Sequence, residues 1–267
     1  MKRILCSFLC IVLSLTLVSN ALASTSYSDL ISSVLEDMEA NNRSCSGAPQ
    51  QSANGAYRLF DMLCILGFEL STGSSMNDYI SNEIDSLSAN NASCSGAPQQ
   101  TANGAYRCVE LLAIIALALD DYGIYKDLIV SIIDDMETNN RSCSGAPQQT
   151  ANGLYRAVEM ATVIAYELDG RGTYSDIISS VLDSLYSNNS ACNSAVQQEV
   201  NGSYRLFEML YIIANECDTT GVYGDLISSI YDSLNANNAS CNGAPQQLAN
   251  GLYRCVEISA IIAMCNQ

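Results

Sequence analysis

A cysteine returns every 49 residues along this chain, at Cys45, Cys94, Cys143, Cys192 and Cys241 (94 − 45, 143 − 94, 192 − 143, 241 − 192). The words around it are nearly constant. The first copy reads NNRSCSGAPQQSANGAYR from Asn41 to Arg58, and the third reads NNRSCSGAPQQTANGLYR from Asn139. The fourth drifts most, with Val196 in place of proline and Glu199 beside Gln198. No insertion or deletion separates the five cysteines, so one structural unit of fixed geometry repeats. A fixed period of this length marks stacked supersecondary units, none of which can bury its apolar face alone. The units span about 27–75, 76–124, 125–173, 174–222 and 223–267.

Each unit holds two helical patterns, A and B. Helix A of the first unit covers roughly residues 28–40, with Leu30, Ile31, Val34, Leu35 and Met38 on one stripe at 3.6-residue spacing. An acid recurs at the start (Asp29, Asp78, Asp127, Asp176, Asp225), where it complements the helix dipole. The Asn-Asn pair suits a left-handed C-terminal cap. Helix B starts near Pro49, Pro98, Pro147 and Pro245, runs to about Leu70 in the first unit, and is apolar almost all round in its second half. That apolar run of about 11 residues falls short of the ~20 a membrane span needs. A short loop makes A and B an antiparallel hairpin. The expected fold is therefore all-α, with tandem αα-hairpins stacked as an open α-solenoid, or alternatively a closed α/α ring. Helix B is expected on the inner, concave layer. The glycine in each Asn-Gly, costly inside a helix, is expected to let A and B approach closely, with Tyr57 and its copies packed at the crossing.

Ahead of the repeats, Lys2 and Arg3 precede an apolar stretch from Ile4 to Val18, and Ala21-Leu22-Ala23 offers a small-residue cleavage site. Residues 1–23 read as a secretory signal peptide, which predicts a secreted or periplasmic protein with no membrane anchor after cleavage. Cleavage removes two bases and no acid, so the formal charge moves from −17 to −17 − 2 = −19, with 28 acidic against 11 − 2 = 9 basic residues. So acidic a chain excludes nucleic acid as a partner, because that binding needs Lys and Arg against phosphate.

Four polar positions form a stripe along helix B: Gln51, Asn54, Arg58 and Asp61 in the first unit. They recur as Gln100, Asn103, Arg107 and Glu110; Gln149, Asn152, Arg156 and Glu159; Gln198, Asn201, Arg205 and Glu208; and Gln247, Asn250, Arg254 and Glu257. Spacings of three, four and three put them on one helix face. The stripe reads either as a buried polar ladder between hairpins or as a concave groove gripping an extended ligand, each arginine taking a carboxylate or sulfate. The ladder is preferred, because the five copies vary so little.

The cysteines at 45, 94, 143, 192 and 241 form a thiol ladder. Packed helices stand about 10 Å apart, too far for a disulfide, which needs Cα atoms within about 7 Å. The remaining mature cysteines (Cys64, Cys108, Cys217, Cys255, Cys265) fall unevenly, and the third unit has none. Cross-repeat disulfides, bridges between chains, a reactive thiol at a helix start and a Cys–Gln thioester are the sharper alternatives to small buried side chains. With no histidine and no CxxC pair, no metal or other cofactor is expected. A calcium site at residues 168–172 lacks the ligand spacing of a calcium loop. Asn42, Asn91, Asn140, Asn188 and Asn238 each begin an N-x-S sequon.

Every polar candidate appears five times, which suits a ladder better than an active site. The expectation is a non-enzymatic binding or self-assembling module. Its partner would be a protein or extended ligand, or a second copy stacked head to tail through exposed apolar ends. The alternative is an enzyme on an α/α ring acting on extracellular sugars or peptides, with the fourth unit the place to look.

Overall fold

In a computed structural model the described residues are 26–70, 74–94, 96–120, 123–170 and 172–266, and the expected signal peptide lies outside them. They are all-helical, with no strand. Ten helices alternate between A and B types. The A helices are α1 Tyr27–Ser44, α3 Ser74–Ala92, α5 Lys126–Ser142, α7 Ser175–Ala191 and α9 Gly224–Ser240. The B helices are α2 Ala48–Leu70, α4 Ala97–Leu119, α6 Ala146–Leu168, α8 Ala195–Cys217 and α10 Ala244–Cys265.

The two types bury themselves differently. An A helix buries one stripe, as with Leu30, Ile31, Val34 and Met38 in α1. In α2 every residue from Ser52 to Gly67 is buried. Each B helix packs on the B helices before and after it, and each A helix lies on its own B helix and on the preceding one. The B-to-B contacts run α2, α4, α6, α8, α10 and back to α2. An open stack would leave α2 and α10 apart; here they are in contact. The apolar flanks expected to lie free at the two ends are covered by each other.

The repeated glycine sets that packing. A Cβ added at Gly104 would stand 2.8 Å from Ala56 Cβ, one at Gly153 3.1 Å from Ala105 Cβ, and one at Gly55 2.9 Å from Leu252 Cβ. The close approach is therefore B against the preceding B, and not A against B as the sequence suggested. Gly55 points to the preceding helix and Ala56 to the following one. At about 100° per residue, positions 52 and 59 fall between these two directions. Ser52, Thr101, Thr150, Glu199 and Leu248 then form one layer among the five B helices, and Leu59, Cys108, Ala157, Leu206 and Cys255 the next. All are buried, so side chains fill the space they enclose.

The polar stripe lies on the opposite face, toward the A helices: Asn54 reaches the Met38 carbonyl and Arg58 reaches Asp37. The expected concave, inward-facing groove is thus not where the stripe sits. The Asn-Asn pairs also differ from expectation. They lie inside the last turn of each A helix, the capping residue of α1, α5, α7 and α9 is the cysteine in extended conformation, and no described residue other than glycine has positive φ.

Returning from B to A, Asp169 accepts hydrogen bonds from the backbone N–H of Thr173 (2.6 Å) and Tyr174 (2.9 Å). Asp120 and Asp218 do the same for Tyr125 and Tyr223. Gly123, Gly172 and Gly221 take φ of 66–69° to close these loops, a conformation that glycine enters without strain. Asp169 therefore serves the backbone in the segment weighed as a calcium loop. Two B helices, Ala97–Leu119 and Ala244–Cys265, are long and apolar enough to cross a membrane, a longer apolar span than the sequence reading allowed. Of those windows, 56% and 67% are buried inside the fold.

Candidate functional site

The stripe residues divide by role. The asparagines tie three helices together. Asn54 Nδ2 donates to the Met38 carbonyl (3.0 Å) and to the Tyr253 hydroxyl of the fifth repeat (2.9 Å). Asn152 does the same with Met136 (3.0 Å) and Tyr106 (2.9 Å), while Asn201 and Asn250 reach Leu185 and Leu234. Asn103 instead points to Cys94 Sγ at 2.9 Å. Burial pushes the Tyr106 hydroxyl up to about 12, outweighing the Asn152 hydrogen bond, which pulls it down.

The arginines are held by acids. Arg58, 1% exposed, pairs with Asp61 at 2.8 Å. Arg156 meets Glu159 at 2.5 Å and Asp135 at 3.5 Å, and Arg205 and Arg254 pair with Glu208 and Glu257. Burial raises the Asp61 carboxyl to about 6 against the opposing pull of Arg58. The stripe asparagines thus bond to A-helix carbonyls, a neighbouring tyrosine or Cys94, and the arginines to acids of their own hairpin.

The glutamines are different. Gln51, Gln100, Gln149, Gln198 and Gln247 are half-buried at the start of each B helix, and two of them line clefts between neighbouring outer helices. One cleft, of about 460 Å³, lies between repeats three and four. Asn139, Ser142, Cys143, Gln148, Asn152, Tyr155 and Arg156 come from repeat three, and Asn189 and Gln198 from repeat four. Another, of about 380 Å³, joins repeats five and one with matching residues: Asn237, Ser240, Cys241, Gln246, Asn250, Tyr253 and Arg254, facing Asn42 and Gln51. Asn90, Ser93, Cys94, Gln99 and Asn103 line a third in repeat two. The walls are mainly amide, hydroxyl and thiol, with Arg156 in the first cleft and Glu39, Arg254 and Glu257 in the second.

Cys94, Cys143 and Cys241 stand in these clefts, and all five ladder cysteines, Cys45 and Cys192 included, are free thiols and half-buried. Cys94 and Cys143 donate to the carbonyls of Asn90 and Asn139. Burial raises the Cys45, Cys94, Cys143 and Cys241 thiols, the reverse of activation by a helix start. The Gln50, Gln148, Gln197 and Gln246 side chains accept from the backbone N–H of residues 46, 144, 193 and 242, at 2.6–2.8 Å. They cap helix B. The sequon asparagines Asn42, Asn140, Asn188 and Asn238 sit in the last turn of their A helices.

Two features escaped the sequence reading. Glu83 takes a position where the other repeats carry Val34, Ile132, Val181 and Ile230, and so hides in the apolar stripe. It shares Arg107 with Glu110, at 3.0 and 2.5 Å. Burial, with Glu83 as hydrogen-bonding neighbour, raises the Glu110 carboxyl to about 8 against the pull of Arg107. Beside the cleft of repeats three and four, the rings of Tyr155 and Tyr186 stand 5.7 Å apart, and Arg156 lies 5.1 Å over Tyr155. The signal for Tyr186 was its replacement of Glu39, Ser88, Glu137 and Asn235. Among the described residues no group of three or more Cys, Asp and Glu is placed to hold a metal ion. Comparison with protein-family models, with curated proteins and with solved structures finds no match to the chain.

Proposed function

We propose that this chain is an exported helical-repeat protein, closed as an α/α ring of five hairpins, that works as a binding module through its outer clefts. The cycle of B-helix contacts, with α10 on α2, supports the ring. The observation that carries the binding reading is the recurrence of one amide, hydroxyl and thiol wall in separate clefts. Side-chain amides donate and accept together, so they match hydroxyl and amide groups of a neutral ligand. The stripe arginines lining these clefts are paired with acids, Arg156 with Glu159 and Arg254 with Glu257, which disfavours sulfate or carboxylate there. An oligosaccharide fits best, its sugar faces stacking on Tyr155 and Tyr186 and its repeat matching a row of equivalent clefts.

Calorimetric titration with neutral oligosaccharides tests this. The expected result is binding that a Gln148→Ala/Gln198→Ala double variant weakens roughly tenfold, a loss of about 1.4 kcal/mol. Equal binding by that variant, or none by the wild type, would overturn it. Head-to-tail stacking is less favoured, since α2 and α10 cover each other's flanks. An enzyme acting on sugars or peptides is favoured by one observation, the Glu83–Glu110 pair. Those carboxyls are hydrogen-bonded to each other, nearer than the ~5 Å of a glycosidase pair, so binding is preferred.

A further inference from the structure

Two cysteines outside the ladder occupy one contact of the ring. In the packing of α10 on α8, a Cβ at Gly251 would stand 3.0 Å from Ser203 Cβ. Fourteen residues farther along each helix, nearly four turns of about 3.6 residues, the same register brings Cys265 against Cys217. These are the last residues of α10 and α8. The corresponding pairs at the other junctions are Ala118 with Leu70, Glu167 with Leu119, Glu216 with Leu168 and Glu69 with Asn266. Only here do both members become cysteine, and a lone change on either helix would have made no pair. The Asn266 side chain, next to Cys265, hydrogen-bonds Cys217, so the two helix ends are in contact. Both thiols are half-buried and accessible, unlike Cys64, Cys108 and Cys255.

We propose that Cys217 and Cys265 form a disulfide that staples the fifth repeat to the fourth. The oxidant is a disulfide-bearing molecule, a small-molecule disulfide or an oxidised protein dithiol. Cys265, half-buried at the helix end, loses its proton and its thiolate attacks the oxidant's disulfide, releasing one thiol. Cys217 then attacks the mixed disulfide at the Cys265 sulfur and releases the second. Two protons and two electrons leave the pair and appear on the two departing thiols. Burial first, and the neighbouring thiol second, raise Cys217 to about 12; burial and Asp218 raise Cys265 to about 11. Closure is therefore slow at neutral pH and faster in alkali, because the thiolate is the attacking species. That the pair meets such an oxidant in the cell rests on the export reading.

The test uses the full chain, purified reduced and then exposed to glutathione disulfide. Non-reducing peptide mapping should recover one peptide linked through 217 and 265, with the intact protein two hydrogens lighter. The oxidised protein should melt higher than the reduced one, a shift absent in Cys217→Ser and in Cys265→Ser. Both thiols alkylating freely after oxidation, with no linked peptide, would overturn the pair. Closure in the tube, with the protein recovered from the cell interior and its thiols free, would uphold the pair and overturn export.

Discussion

Gly104 sits in the middle of α4, where glycine costs about 1 kcal/mol relative to alanine. A methyl there would come within 2.8 Å of Ala56 Cβ and 3.3 Å of its carbonyl carbon, atoms with no rotamer to turn aside. Overpacking of this kind costs about 1–3 kcal/mol, more than the propensity gained. Gly104→Ala should therefore destabilise the protein by about 1–2 kcal/mol in urea unfolding, and a stabilised variant would remove the argument. The glycine was legible in the sequence as a point of close approach, but its partner was not. Periodicity gives the angle of a residue around its own helix and says nothing of which neighbour stands there. The same gap hid the Asn152–Tyr106 bond, whose members come from different repeats. That Arg156 and Glu159 share one helix face was legible because their i, i+3 spacing is local.

At the scale of elements, the alternation of A and B, the buried stripe of α1 and the proline-marked start of α4 all followed from residue spacing. The loops did not. Asp120, Asp169 and Asp218 each stand three residues before a positive-φ glycine and five before a tyrosine, a word that reads as acidic until its hydrogen bonds are seen. Asp169, itself 7% exposed, takes the N–H groups of Thr173 and Tyr174 and the hydroxyl of Ser175, and so fastens the loop that leads into α7. Losing hydrogen bonds to a charged acceptor of this kind costs about 1.5–3 kcal/mol. Asp169→Ala should fall in that range in denaturant unfolding, with Asp169→Asn retaining part of the difference. Identical stability of the alanine variant would show that the loop holds without its carboxylate.

For the whole molecule, the buried acids give a direction to pH dependence. Glu199, in the innermost layer, is raised by burial to about 7 against the hydrogen bond from Thr150, Glu110 to about 8 and Asp61 to about 6. Unfolded carboxyls titrate near 4. The folded state therefore holds protons that the unfolded state gives up, and stability is full below about pH 4 and lost as pH rises through these values. The melting temperature should fall from pH 5 to pH 8, with a shallower fall in Glu199→Gln; a flat profile in the wild type would sink this account. Glu199 stood out in the sequence because its repeat drifts, yet its depth did not, since that depends on whether the stack curves shut. Closure is set by a small rotation per hairpin, summed five times, which no residue pattern prints. The contact of α10 with α2 has a consequence in time. Asn54 and Tyr253 are 199 residues apart, yet each completes the other's hydrogen bonding. During synthesis the first hairpin must wait, one flank bare, until the last has emerged. A ladder of hairpins can zip from any rung, but this one has a clasp, and its oldest part is among the last to be finished.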